Sequence, residues 1–356
     1  MRRRVNNVLA LCYVCLALFL FVQIQKHTSF RSEQMPLLLL GSPLNWSAKI
    51  HLENVEIIAE ECACRSQKSE KIHDFCYKLP EISSIRKLGF HNTIVLYSLG
   101  IKEKRLEELK ETACNLEIRN FNFSKYPGYV AHLKDYRWKP IVIAETLRDF
   151  GAIWYLDSSV IFEKLNVSHV YDLIKCHGSV HESSVRDVRE SREKHEDGWN
   201  REIWERNLRE CRKGQYLLHG YSGHGILSVT NPGVYTYFPT NPHELSKKKA
   251  KMYDAGFVFA VNTRQTMSDI VKWYFLCALQ EDCMAPKGAS LGCSFRGDDR
   301  FTEYADCHRF DQSIINLVLA NQFWYDRRYY VSEIVDFFHI DRGGSSGHFD
   351  KDLQCI

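Results

Sequence analysis

Four short segments carry side chains able to act on a charged ligand. Asp157 follows the apolar run Ala152–Leu156 and opens Asp157-Ser158-Ser159. A carboxylate at the end of a buried strand projects into the crevice where an α/β sheet binds its ligand. A divalent ion bridging a diphosphate takes hard oxygen ligands, usually one or two carboxylates plus the phosphates, and Asp157 with the Ser159 hydroxyl offers two. The competing reading of these three residues is a turn in which Asp157 caps the next segment. Asp254-Ala255-Gly256 repeats the arrangement ahead of Phe257–Val261, and Gly256 lets a ligand or backbone come close; an ordinary turn competes here too. Asp311-Gln312 opens a helical run containing Asn316, where an acid also suits the first turn electrostatically. His339 follows the apolar Ile334–Phe338 and precedes Asp341-Arg342-Gly343-Gly344. A neutral imidazole there would complete a metal site and Arg342 would meet phosphate, against the commoner structural, hydrogen-bonded histidine.

Other chemistries have no foothold. There is no Gly-x-x-x-x-Gly-Lys-Ser/Thr loop, no Gly-x-Ser-x-Gly elbow and no His-Glu-x-x-His. Cys293, Cys307 and His308 are of zinc-ligand type, but disulfides explain the cysteines better if the chain lies in an oxidising compartment. A net charge of +3 with 26% charged residues gives no basic field of the kind nucleic acid requires.

The elements that must position these residues alternate. Thr93–Tyr97 and Leu116–Phe123 read as strands, with a helical period over Lys104–Ala113 between them. Pro140–Phe150 reads as a helix with Pro140 in its first turn and Gly151 as its stop. Ala152–Leu156 has the continuous apolar character of a central strand covered on both faces. This order predicts an α/β domain with a mostly parallel sheet. Residues 181–213 are polar with little periodicity and read as a solvated insertion or an active-site flap. Apolar pattern resumes at Gly225–Thr230 and Gly256–Val261, then as helices over Met267–Leu279 and Gln312–Leu319, and a late strand over Ile334–Ile340.

The N-terminus sets the compartment. Arg2, Arg3 and Arg4 precede an apolar run from Val8 to Ile24, followed by Gln25, Lys26 and His27 without an Ala-x-Ala cleavage pattern. The reading is an uncleaved transmembrane signal-anchor over residues 8–24 with residues 1–7 in the cytosol, a type II topology. Residues 25–89, with Cys62, Cys64 and Cys76, read as a lumenal stem and disulfide-tied lead-in, and residues 90–356 as the lumenal domain. Eleven of the thirteen cysteines fall after the anchor, a density that implies disulfides, and their odd number leaves at least one unpaired or bonded to another chain. Asn45, Asn122 and Asn166 begin Asn-x-Ser acceptors for glycosylation.

Taken together, Val95-Leu96-Tyr97-Ser98-Leu99-Gly100, Tyr136-Arg137-Trp138-Lys139-Pro140, Trp154-Tyr155-Leu156-Asp157-Ser158-Ser159, Cys283-Met284-Ala285-Pro286 and Cys307-His308-Arg309-Phe310-Asp311-Gln312-Ser313 resemble an invertebrate, nematode-expanded family of type II membrane proteins whose function is unknown. The order of features also resembles the GT-A glycosyltransferase fold, a Rossmann-like sheet flanked by helices. In that fold a strand ends in Asp-x-Asp holding manganese and a nucleotide sugar, a place that falls here on Asp157 and Ser159. The resemblance implies donor-binding roles for Asp157, Ser159, Lys139, Gly256, Gln312 and Arg342. It also implies a Mn2+ or Mg2+ on Asp157 and His339 that neutralises the departing diphosphate, assisted by Arg342 or Lys139. Asp254 or Asp311 would orient the acceptor or act as base. Because Ser159 stands where the fold has a second acid, the metal is weaker, held differently or absent. The implied function is a Golgi glycosyltransferase moving a sugar from a nucleotide-sugar donor to a glycan or glycoprotein. A non-catalytic lumenal or cell-surface binding protein and a Golgi sulfotransferase are the alternatives.

Overall fold

In the computed structural model, which describes residues 56–60, 80–171, 173–174 and 214–341, the apolar runs assemble into a six-stranded sheet. In chain order the strands are β1 (Glu56–Glu60), β2 (Ile94–Ser98), β3 (Leu116–Asn120), β4 (Ala152–Leu156), β5 (Val160–Phe162), β6 (Tyr216–Leu218), β7 (Tyr221–Gly225), β8 (Lys251–Tyr253), β9 (Phe257–Val261) and β10 (Phe338–Ile340). The large sheet runs β3-β2-β1-β4-β9-β6, while β5 with β10 and β7 with β8 form two-stranded sheets. Five helices matter below: α1 (Pro80–Lys87), α2 (Glu103–Thr112), α3 (Trp138–Phe150), α4 (Lys272–Ala278) and α5 (Asp311–Gln322).

Strand β4 lies inside the sheet, between β1 and β9, and all five of its residues are buried. On one face the Trp154 indole stacks against Phe257 with ring centroids 5.1 Å apart, lies tilted against Phe259 at 4.8 Å, and meets Phe337 edge-on. Each buried phenylalanine contributes on the order of 1.5–3 kcal/mol, so the strand whose tip carries Asp157 is among the better-anchored parts of the molecule. Helix α3 also packs against β4. It is buried at nine of its thirteen residues, which leaves little amphipathic period for a sequence to show. It stops at Gly151, whose φ of 81° a side chain would disfavour and whose N–H reaches the Leu147 carbonyl.

Three expectations are sharpened or changed. The mostly parallel sheet carries one reversed strand: β3, β2, β1 and β4 pair in parallel, but β9 runs antiparallel to both β4 and β6. Both β4 and β9 are buried at every position, and a continuous apolar run says that a strand is covered without saying which way it runs. Second, Glu56–Glu60, placed in the stem by its polar surroundings, is a strand pairing with β2 and β4, and Pro80–Lys87 is a helix packed on β5. Third, the late strand is confined to Phe338–Ile340, and the helical run before Ala278 begins with a π-helical turn, Thr266–Val271.

No described helix is long and apolar enough to cross a membrane. Residues 1–7, the expected anchor over 8–24, the stem cysteines, Asn45, the insertion 181–213 and Arg342 all lie outside the described residues.

Candidate functional site

Three connections deliver acids to the same end of the sheet. Asp157 leaves β4, and its N–H continues the ladder by donating to the Gly256 carbonyl at 2.7 Å. The β8–β9 turn, Asp254-Ala255-Gly256, is therefore stitched to the tip of β4, and Asp254 is fixed from the other side as its N–H donates to Gly220 at 2.8 Å. Asp311 begins α5, and Asn316, one turn on, accepts from the Tyr253 N–H at 2.9 Å and donates to the Tyr253 carbonyl at 2.8 Å. That side-chain amide bolts α5 to the residue preceding Asp254.

These segments wall a cavity of about 250 Å³ lined by Lys139, Asp157, Ser159, Asp254, Gly256, Arg309, Asp311 and Gln312, with Tyr136, Leu291 and Ile340 among the other lining residues. Lys139, in the first turn of α3, is buried, and its ammonium lies 2.9 Å from Asp157 Oδ2 and 3.1 Å from Asp311 Oδ2. It also lies over the rings of Tyr136 and Trp138, 4.9 and 5.6 Å from their centroids. The second Asp157 oxygen, Oδ1, accepts from the Tyr155 hydroxyl at 2.8 Å. Burial is the largest influence on Asp311 and pushes its carboxyl above the ordinary carboxylate range, with Asp157 adding to the rise and Lys139 opposing it. Two cations facing three carboxylates make the Lys139 ammonium the group that lets the acids share one space.

Gly256 is required by contact: a Cβ there would lie 2.5 Å from Asp157 Oδ2 and 2.9 Å from its Cγ. Gln312 donates to the Ser222 hydroxyl at 3.0 Å, which in turn donates to the Met252 carbonyl. The wall residue that sequence reasoning missed is Arg309. Its backbone N–H is held by Ser313 Oγ at 3.0 Å and the Val229 carbonyl, while its buried Nε has no hydrogen-bond partner among the described residues. The available signal was its place between Cys307 and Asp311, two residues with evident structural or chemical work.

Of the residues singled out in the sequence, Asp157, Ser159, Lys139, Asp254, Gly256, Asp311 and Gln312 thus line one cavity. His339 does not join them. It is exposed, and its Nδ1 lies 3.0 Å from Glu163 Oε1. Strand alternation is the reason: in Phe338–Ile340 successive side chains point to opposite faces, and it is Ile340 that reaches the cavity. Asp157 and His339 therefore do not line the cavity together. Both Asp157 oxygens are already engaged, one by Lys139 and one by the Tyr155 hydroxyl. Among the described residues no group of three or more His, Cys, Asp or Glu side chains is arranged to hold a metal.

The zinc reading of Cys293, Cys307 and His308 also falls. The two cysteines form a disulfide, with Cα atoms 4.8 Å apart, and a second disulfide joins Cys277 to Cys283. His308 accepts from the Asn231 N–H on Nδ1, and its Nε2 lies 3.1 Å from the Met284 carbonyl, to which it donates as the neutral tautomer. Burial lowers its pKa to about 4, in keeping with that neutral form. Asn122 and Asn166 are exposed at the surface, each side-chain oxygen accepting from the N–H of the serine two residues on.

A family model described as a protein of unknown function (DUF1647) matches residues 79–144, from the start of α1 into α3. No curated protein matches the chain. Among solved structures, the chain is similar to the galactosyltransferase LgtC in complex with donor and acceptor sugar analogs, at 12% identity and a TM-score of 0.32, over 64% of this chain and 66% of that one. It is also similar to mouse xyloside xylosyltransferase 1 in its apo form, at 9% identity and a TM-score of 0.34, over 77% of this chain and 83% of that one. Likenesses of this degree carry no argument about activity, which has to come from the cavity.

Proposed function

We propose that the chain is a lumenal, Golgi-resident glycosyltransferase, anchored as a type II membrane protein, that moves a sugar from a nucleoside-diphosphate donor to a glycan or glycoprotein acceptor. One observation carries the reading: the acidic tip of a covered interior strand opens onto a cavity shared with two further acids, a buried lysine and an arginine. Ligands of α/β sheets bind beyond the carboxyl ends of their parallel strands, and β4 runs parallel to β1 and ends at that cavity. The GT-A resemblance in the order of the sequence features supports the same assignment.

In this reading the bond between the anomeric carbon and the donor phosphate oxygen breaks as an acceptor hydroxyl attacks the carbon. The electron pair leaves with the nucleoside diphosphate, and the hydroxyl proton passes to a carboxylate. Asp254 suits that base better than Asp311, because it is half-buried in the wall while Asp311 is buried and tied to Lys139. Gln312 and Ser159 offer neutral hydrogen-bonding groups to the sugar hydroxyls. Gly256 keeps the floor open beside Asp157.

The test is a thermal-unfolding series of the full chain in detergent against a panel of nucleotide sugars, with nucleoside diphosphate release measured in parallel. A donor that binds the folded state raises the midpoint by mass action, and turnover in the presence of glycan acceptors completes the case. No shift with any donor sinks the assignment. The engagement of Asp157 by Lys139 favours a second reading, a binding protein that keeps the cavity without turnover, which the same series reads as a shift without diphosphate release.

A further inference from the structure

We infer that this site handles its diphosphate without a divalent ion: the Lys139 ammonium stands between the carboxylates where such an ion would stand, and with Arg309 it supplies the positive charge that the diphosphate meets. The inference rests on the transferase reading above and says which cation that chemistry uses.

Three observations support it. First, Lys139 bridges Asp157 and Asp311 at 2.9 and 3.1 Å, the spacing of charge-assisted hydrogen bonds. A magnesium ion would need the same oxygens at about 2.0–2.1 Å in near-octahedral geometry and would share the space with a fixed positive charge. Second, Lys139 has little room to step aside. It is 5% exposed, emerges from the first turn of a buried helix, and lies over the rings of Tyr136 and Trp138. Third, two of the groups an ion would call on are spent or turned away: Tyr155 holds the other Asp157 oxygen, and His339 pairs with Glu163.

The same wall provides for the anion. Arg309 lines the cavity, and its backbone is pinned by Ser313 Oγ. An arginine in that wall offers a diphosphate the planar fork of donors that matches phosphate geometry. When the sugar leaves, the electron pair stays on the diphosphate, and Lys139 and Arg309 are positioned to hold the added negative charge; no proton or electron from outside is needed. Lys139 would then keep the two acids together in the empty site and turn part of its field on the diphosphate in the filled one.

The experiment has two arms on the full chain. In the first, Mn2+ alone is titrated with protein and its six-line paramagnetic resonance signal is followed. The expected result is an unchanged signal at equimolar protein, and stoichiometric loss of the signal would overturn the proposal. In the second, UDP and GDP are the probes, and their dissociation constants are measured in EDTA and in excess Mn2+. The expected values agree within about twofold, whereas Mn2+-dependent tightening of about tenfold or more overturns the proposal and leaves the transferase reading standing. Absence of binding by both nucleotides under both conditions sinks that reading and the proposal with it. Lys139→Met and Arg309→Met should each weaken nucleotide binding in EDTA by about tenfold or more, as expected for loss of a hydrogen bond to a charged group. Only Lys139→Met should begin to take up Mn2+. Arg309→Met keeps the Asp157–Lys139–Asp311 bridge intact and so serves if Lys139→Met fails to fold; unchanged nucleotide binding by Arg309→Met would overturn its share of the proposal.

Discussion

Arg137 and Lys139 are two buried cations two residues apart, and they are treated in opposite ways. Arg137 sends its guanidinium to backbone carbonyls, those of Ala278 at 3.3 Å, Gln280 at 3.0 Å and Glu281 at 2.6 Å, with Asp135 at 3.2 Å and the Tyr129 ring beneath it. The Tyr129 hydroxyl donates to Leu279 in the same turn. Lys139 has carboxylates and a cavity instead. Carbonyls are neutral and belong to the backbone, so an arginine that collects them fixes the course of a chain and does little else. Carboxylates carry charge that can be redistributed when a ligand arrives. The difference separates a residue that holds the turn after α4 in place from one that holds a site in readiness.

The largest effect should come from breaking the first region. Arg137→Ala leaves three carbonyls and Asp135 without their donor, and unfolding in urea should show a loss of about 3–5 kcal/mol, with donor affinity per folded molecule unchanged. Replacing Cys277 and Cys283 by serine in the same region removes a short covalent loop and should cost about 2 kcal/mol by the chain-entropy relation, read from the same curves. Gly256→Ala should cost about 1 kcal/mol, the scale of local side-chain strain, yet remove donor binding, because its Cβ displaces the Asp157 carboxylate; a calorimetric titration that still shows wild-type affinity would contradict the geometry. The smallest effect is in pH. Asp311 has a raised pKa, so the folded chain holds its proton more tightly than the unfolded chain does. Its contribution is therefore most favourable below the unfolded value near 3.8 and declines as pH rises through the folded value. Asp311→Asn should flatten that part of the stability profile, and an unaltered slope would show that burial is not setting the titration.

Much of this contrast was legible in the residues. Ala152–Leu156 shows itself as a covered strand because nothing polar interrupts it, and Asp157, Asp254 and Asp311 stand out as acids beside apolar runs. Gly256 declares its need for space by being followed directly by a strand. What the sequence hides is direction and facing. The burial of β9 is the same whichever way it runs, and β1, with a glutamate at each end, is too flanked by charge to be seen apart from its partners. His339 was one position out of phase with Ile340, an error that a strand of three residues gives no pattern to correct. Lys139 shows least of all: in a helix buried at nine of thirteen positions, no periodicity marks which side faces the acids, and only the Tyr136–Pro140 motif drew attention to it.

The Asn316 amide has a mechanical consequence. By gripping both the N–H and the carbonyl of Tyr253, it couples the start of α5 to the β8–β9 turn like a gear tooth. Gly256 of the same turn holds the Asp157 N–H, so a push on the helix would be passed on to Asp311, Asp254 and Asp157 alike. The three acids would then ride as one unit, and their spacing would survive a shift of the elements that carry them.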